Sequence, residues 1–118
     1  MPGADPHINV TKMNDVNVIE FADRKILDEL SISEIGDQLK SVAQSAPSVR
    51  MLLNFQNVEH LSSAALGMLI TLDKLVKEAS GKLVLCNINP QIYEVFKITR
   101  LNKLFAIHDS TEAALGSF

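Results

Sequence analysis

Apolar and polar positions alternate through Ile8-Asn-Val-Thr-Lys-Met13 and again through Val16-Asn-Val-Ile-Glu-Phe21, the signature of two strands. Asn14-Asp15 between them supplies turn chemistry, so the pair reads as a β-hairpin. The period then lengthens: Ile32, Ile35, Leu39 and Val42 recur at helical spacing, and Pro47 stops any continuation, which predicts an amphipathic helix over about residues 31–45. Ser31 and Glu34 have capping-box spacing at its start, with Leu30 and Ile35 as the accompanying hydrophobic staple. Val49-Arg-Met-Leu-Leu-Asn-Phe55 is a short apolar run that suits a central strand buried on both faces. A second helical pattern follows from Ser62 to about Ala79, ended by Ser80-Gly81 with Gly81 as the left-handed C-terminal cap. Lys82-Leu-Val-Leu-Cys86 is the next strand, and strand, helix and strand in this order predict a right-handed crossover between parallel neighbours.

The remainder is short-range. Asn89 as cap and Pro90 as first helical residue open a short third helix whose apolar face is Ile92, Val95 and Phe96. Leu104-Phe-Ala-Ile107 reads as a last strand, and Asp109 or Ser110 caps a final helix through Ala113, Ala114 and Leu115. The expected class is α/β: a single domain over residues 8–118, its mixed sheet opening with a hairpin and carrying about four helices mainly on one face. Residues 1–7, with Pro2, Gly3 and Pro6, read as a flexible tail.

Composition narrows the chemistry. A chain of 118 residues is expected to bury roughly 65% of its unfolded surface, enough for a core without staples. The lone Cys86 has no partner for an internal bridge, which points to a reducing cytoplasm and to a packing role for its thiol. Apolar runs too short to span a bilayer argue against membrane insertion. With 11 Lys and Arg against 14 Asp and Glu there is no basic footprint for direct nucleic-acid binding. His7, His60 and His108 are scattered without metal-ligand spacing, no glycine-rich phosphate cradle is present, and no cofactor is expected. A small enzyme using Ser62 or Ser63 lacks an assignable base.

The segment before and into the second helix carries the most information. Steps of 100° per residue put Ala65, Leu69, Leu72, Val76 and Ala79 on the core side, flanked by Leu66, Met68 and Leu75. Ser63, Gly67, Ile70 and Lys74 fall together on the opposite side. A hydroxyl in the first turn, a helix-weakening glycine and an outward isoleucine fit a docking surface on which small Ala64 and Gly67 admit a close approach. A serine at a helix start is also an ordinary cap, and a single exposed isoleucine is common.

Ser62-Ser-Ala-Ala-Leu-Gly67 after a buried strand, together with the order of elements, resembles the STAS domain of anti-sigma factor antagonists. In that family the signature is typically Asp-Ser-Ser/Thr-Gly-Leu-Gly, and a partner kinase phosphorylates the serine after the Asp. Alignment on Leu66-Gly67 puts Ser63 at the phosphoacceptor position, with Ser62 where the Asp usually stands and as the alternative acceptor. Ala64 takes the second hydroxyl position and Ala65 the first glycine. The stretches Leu27-Asp28 through Ile35 and Asn87-Ile-Asn-Pro90 through Phe96 also resemble family segments, whereas Phe21 to Asp28 lacks a glycine common after the second strand.

The resemblance implies a non-enzymatic regulator that binds an anti-sigma factor with serine kinase activity and is switched off by phosphorylation at Ser63. The implied docking residues are Asp28, Ser62, Ser63, Ala64, Gly67, Ile70 and Lys74, and a phosphatase would reset the switch. A STAS scaffold subunit of a larger signalling assembly is the alternative, and a homo-oligomer is open in either reading. Nucleotide binding near Asp28 and Ser63 has no specific sequence support.

Overall fold

The computed structural model describes residues 7–118, and the expectations for Met1 to Pro6 lie outside them. Strands β1 (Ile8–Met13) and β2 (Val16–Phe21) pair antiparallel from Ile8↔Phe21 to Met13↔Val16. Asn14 and Asp15 both take positive φ, 52° and 66°, which gives the two-residue loop the twist a tight hairpin needs. Two residues of β3 (Lys25–Ile26) precede helix α1 (Glu29–Ala43), and central strand β4 (Arg50–Asn54) follows. Two more form β5 (His60–Leu61) before helix α2 (Ser63–Glu78). The chain continues through β6 (Lys82–Cys86), α3 (Pro90–Ile98), α4 (Leu101–Leu104), β7 (Ala106–His108) and α5 (Thr111–Gly116).

The main sheet has the order β1-β2-β4-β6-β7, parallel throughout except for the hairpin. Its two faces are covered unequally. Ile19, Phe21, Met51, Leu53, Leu83 and Leu85 pack against α1, α2, α3 and Phe105 in the larger core. On the reverse, Val16, Val18, Leu52, Val84 and Cys86 form a smaller apolar cluster among the described residues with Ala114, Leu115 and Phe118. Each large side chain buried this way contributes about 1.5–3 kcal/mol of transfer free energy, so the larger core anchors α1 and α2. Burial raises the Cys86 thiol above its ordinary value, with the Thr111 hydroxyl opposing the shift.

Several boundaries depart from expectation for local reasons. Helix α1 begins two residues early, because Asp28, not Ser31, is its cap: the Asp28 carboxylate accepts from the Ser31 amide at 2.9 Å. The staple is likewise absent, since Leu30 is 70% exposed while Ile35 is fully buried. At the end of α2 it is Ser80 that takes the left-handed conformation, φ 61°, and no described glycine has positive φ. Gly81 serves close packing instead, because a Cβ there would collide with the Val49 carbonyl oxygen. Leu104 belongs to the additional short helix α4, and β7 starts at Ala106. Ser110 caps α5 by accepting from the Ala113 amide at 3.1 Å.

Candidate functional site

Two long helices start next to each other, and a very small ladder arranges it. Strands β3 and β5 pair in parallel, Lys25↔His60 and Ile26↔Leu61, and the Ser62 amide donates to the Ile26 carbonyl at 3.1 Å. Asp28 therefore stands two residues beyond one strand of the ladder and Ser62 one residue beyond the other. The sheet side of this arrangement is held by Phe21 and Phe55, whose rings lie 4.9 Å apart.

The loop between β4 and β5 is fixed by side-chain amides. Asn54 Oδ1 accepts from the Gln56 amide and from Asn87 Nδ2, both at 3.0 Å, and Asn87 Nδ2 also donates to Thr111 Oγ1. Asn87 reaches these partners in the left-handed conformation, φ 57°, which a short amide side chain tolerates. Asn89 has two tasks: its Oδ1 caps α3 through the Ile92 amide at 2.8 Å, and its Nδ2 donates to the Val58 and Glu59 carbonyls. These contacts position the approach to α2 before any site residue is reached. No hydrophobic period marks them; the left-handed asparagine and the dual role of Asn89 become legible only through the fold.

At the helix start the two adjacent serines are divided in role. Ser62 is the cap, its Oγ accepting from the Ala65 amide at 3.2 Å, and it is half-buried. Ser63 is the first helical residue and is exposed, and among the described residues its hydroxyl has no hydrogen-bond partner. Neither serine hydroxyl is bonded to a histidine among those residues; His60 lies exposed in β5 and His108 ends β7.

Along the same side of α2, Ala64, Gly67 and Lys74 are exposed, and the space where a Gly67 Cβ would stand is open to 4 Å. Gly67 is therefore not required by packing inside this chain. Thr71 Oγ1 donates back to the Gly67 carbonyl at 3.2 Å. Ile70 differs from the outward residue expected: it is half-buried and leans on the larger core. The buried positions of α2, Ala65, Leu66, Leu69, Leu72 and Val76, match the predicted core side, and Asp73 joins them with its carboxylate 2.9 Å from Lys77 Nζ.

Asp28 is exposed at the neighbouring start. Hydrogen bonding from the Ser31 amide, reinforced by the Ser31 hydroxyl, holds its carboxyl below the ordinary aspartate range. A second titratable group, His7, expected in the flexible tail, instead ties α1 to the start of the first strand. His7 Nδ1 lies 2.6 Å from Asp23 Oδ2 and Nε2 lies 3.3 Å from Glu34 Oε1, while the His7 amide donates to Gln38 Oε1. Burial works to lower the imidazole pKa, but the bonds and charges of Asp23 and Glu34 outweigh it and the net shift is upward.

No helix among the described residues is long and apolar enough to cross a membrane. Comparison with known proteins places this geometry in context. The chain is 33% identical over 69 residues to BtrV of Bordetella bronchiseptica, a candidate anti-sigma factor antagonist; the match covers 58% of this chain and 60% of that protein's length. It is 26% identical over 109 residues to the anti-sigma-B factor antagonist of Bacillus subtilis, covering 92% and 98% of the two chains. Among solved structures, an anti-sigma-factor antagonist (STAS) domain protein from Planctomyces limnophilus superposes with a TM-score of 0.85 at 25% identity, over 93% of this chain and 96% of that one. The model of the STAS domain matches residues 7–114, so the chain belongs to the STAS domain family.

Proposed function

We propose that this protein is an anti-sigma factor antagonist that works by docking, without catalysis of its own, in the cytoplasm. Its partner in this reading is an anti-sigma factor with serine kinase activity, which phosphorylates Ser63 and thereby ends the complex; a phosphatase restores it. The observation that carries the reading is the division between the two serines. Ser62 is committed to the Ala65 amide, and Ser63 presents an unengaged hydroxyl to water beside exposed Ala64 and Gly67. Modifying Ser62 would disturb the cap, whereas the Ser63 hydroxyl takes part in no hydrogen bond among the described residues.

The electrostatics suit a switch that spares the fold. A phosphoserine carries about −1.5 to −2 charge at neutral pH, and the positive end of α2 stabilises that charge while it remains solvated. Burying it against a partner is a different matter, because desolvation of an unpaired dianion is costly. A loss of ~4 kcal/mol in docking lowers affinity about a thousandfold. Asp28, on the adjoining start of α1, completes the proposed surface with Gly67 and Lys74.

Phosphosite mapping of the protein incubated with its host kinase tests the assignment. The expected result is a single label on Ser63, absent from Ser63→Ala, with folding intact in both. A label that persists in Ser63→Ala, or Ser63→Asp binding the partner as tightly as the unmodified chain, overturns it.

A further inference from the structure

His7 holds its ring between two carboxylates from different parts of the chain. Nδ1 lies 2.6 Å from Asp23 Oδ2, in the connection between β2 and β3, and Nε2 lies 3.3 Å from Glu34 Oε1, on α1. The backbone of the same residue reaches both places as well: its amide donates to Gln38 Oε1 at 3.0 Å, and its carbonyl accepts from the Ala22 amide at 2.8 Å. A carboxylate can only accept, so both ring nitrogens donate at once only when the imidazole is a cation; the neutral ring has one N–H and one lone pair. Among the described residues Asp23 and Glu34 are the charged groups in contact with the ring, Gln38 is its neutral neighbour on α1, and Asp28 at the start of that helix lies within range of its charge. Arg24 and Lys25, next along the connection, are exposed.

We propose that His7 is a proton-operated latch: as an imidazolium it fastens α1 to the β2–β3 connection, and on losing the proton it keeps Asp23 and lets go of Glu34. Distance decides which side stays. The shorter contact retains the one remaining N–H, and the bare Nε2 lone pair then faces the Glu34 carboxylate, with which it can form no hydrogen bond. Burial opposes the cation, and the bonds and charges of Asp23 and Glu34 more than offset it, so the His7 pKa lies above its ordinary value. The latch is therefore complete below the ordinary imidazole value and opens as pH rises through the folded one. It sits across the segment that sets both helix starts. Directly beyond Asp23, the Arg24 carbonyl accepts from the Glu59 and His60 amides at 2.7 and 3.2 Å, and Lys25 and Ile26 pair with His60 and Leu61. Opening removes one tie between that segment and α1, while buried Ile32, Ile35 and Leu39 keep the helix on the core. The change is a local loosening, not unfolding. The inference does not depend on the phosphorylation switch, and it is tested without any partner protein.

Nuclear magnetic resonance on the full chain, isotopically labelled and titrated across neutrality, tests it. The His7 ring is expected to titrate with a midpoint above that of an unstructured histidine, and the amides of residues 33–36 on α1 to follow the same midpoint. Proton–proton contacts from the ring to the Asp23 methylene should persist on both sides of the midpoint, whereas those to the Glu34 methylenes should be present below it and lost above it. Glu34→Gln, at a half-buried position, removes the second carboxylate and keeps the shape of the side chain. In that variant the ring midpoint should fall and the α1 amides should cease to follow it, with circular dichroism verifying the fold. In His7→Gln the response of those amides around the same midpoint should vanish. A wild-type midpoint at or below the ordinary value, a Glu34 contact that survives deprotonation, a midpoint unmoved by Glu34→Gln, or an α1 response that persists in His7→Gln overturns the proposal.

Discussion

The starts of α1 and α2 lie side by side on the β3–β5 ladder and solve the same problem with different chemistry. Both leave backbone N–H groups without helical partners and both recruit the cap side chain to accept from the amide three residues on, Asp28 from Ser31 and Ser62 from Ala65. Asp28 brings a full negative charge to its helix. Ser62 brings none, so the positive end of α2 is uncompensated and stands beside a serine with an idle hydroxyl. In the proposed switch, capping and signalling separate: at α1 charge and cap are the same atoms, whereas at α2 the cap is neutral and an added charge at Ser63 would come as a second, independent event.

The sharpest way to break this comparison is to add that charge permanently. Ser63→Asp is expected to weaken partner docking by up to about a thousandfold in titration calorimetry, on the order of 4 kcal/mol, while its melting temperature stays near that of the parent. Ser63→Ala should bind like the unmodified chain and resist the kinase. If both bind alike, the idle hydroxyl has no part in docking. Next in size is the neutral cap itself: Ser62→Ala should cost about 1 kcal/mol in urea unfolding, and the loss should be the same across the acidic range because no titrating group is involved.

Gly67→Ala sharpens the contrast between fold and surface. The open space around Gly67 predicts a gain of up to about 1 kcal/mol in stability from better helix propensity. Partner affinity should fall at the same time, since a methyl group would stand where a close approach is proposed. Unchanged affinity would move the contact elsewhere. The smallest effect is expected for Asp28→Asn, which preserves a capping oxygen and so leaves neutral-pH stability almost untouched. Asp28 has a lowered pKa in the folded chain, so its contribution is present above the ordinary aspartate range and is lost as pH falls through the folded value. Asn in its place should flatten that acid-side slope of melting temperature. His7 titrates with the opposite sign: its raised folded pKa makes its contribution complete below the ordinary imidazole value and lost as pH rises through the folded one, so His7→Gln should flatten the slope near neutrality.

How much of this was readable from the chain depends on the length of each feature. Strands β1 and β2 follow from alternation, β4 and β6 from continuous apolar runs, and the buried side of α2 from a helical period, each at least five residues long, although Val10 and Met13 on edge strand β1 are exposed. The ladder that unites the two helix starts has two residues in each strand, and two residues have no period. Competition between equivalent caps also escaped the pattern: Asp28 and Ser31 both suit a helix start, and the pairing of Ile26 with Leu61 favours the earlier one by fixing where the extended chain ends. Ser80 shows the same limit, because Gly81 was needed for contact with Val49 and the left-handed turn fell to its neighbour. Of the proposed site, the outward placement of Ser63, Gly67 and Lys74 was legible from a helical wheel. The seating of Ile70 against the core was not, since it depends on how α2 is tilted over its neighbours.

The β3–β5 ladder has one further consequence, for the way this chain tolerates change. The two rungs set where both helices begin, and the residues just ahead of them are held as well, Val58 and Glu59 through Asn89 Nδ2 and Asp23 through His7. A residue inserted after the rungs, between Leu61 and Ser62, would carry the cap out of reach of the Ile26 carbonyl and turn the whole of α2 by 100° about its axis. Both helix starts thus depend on the two rungs keeping their register, and Ser62 and Ser63 keep their address only while they do.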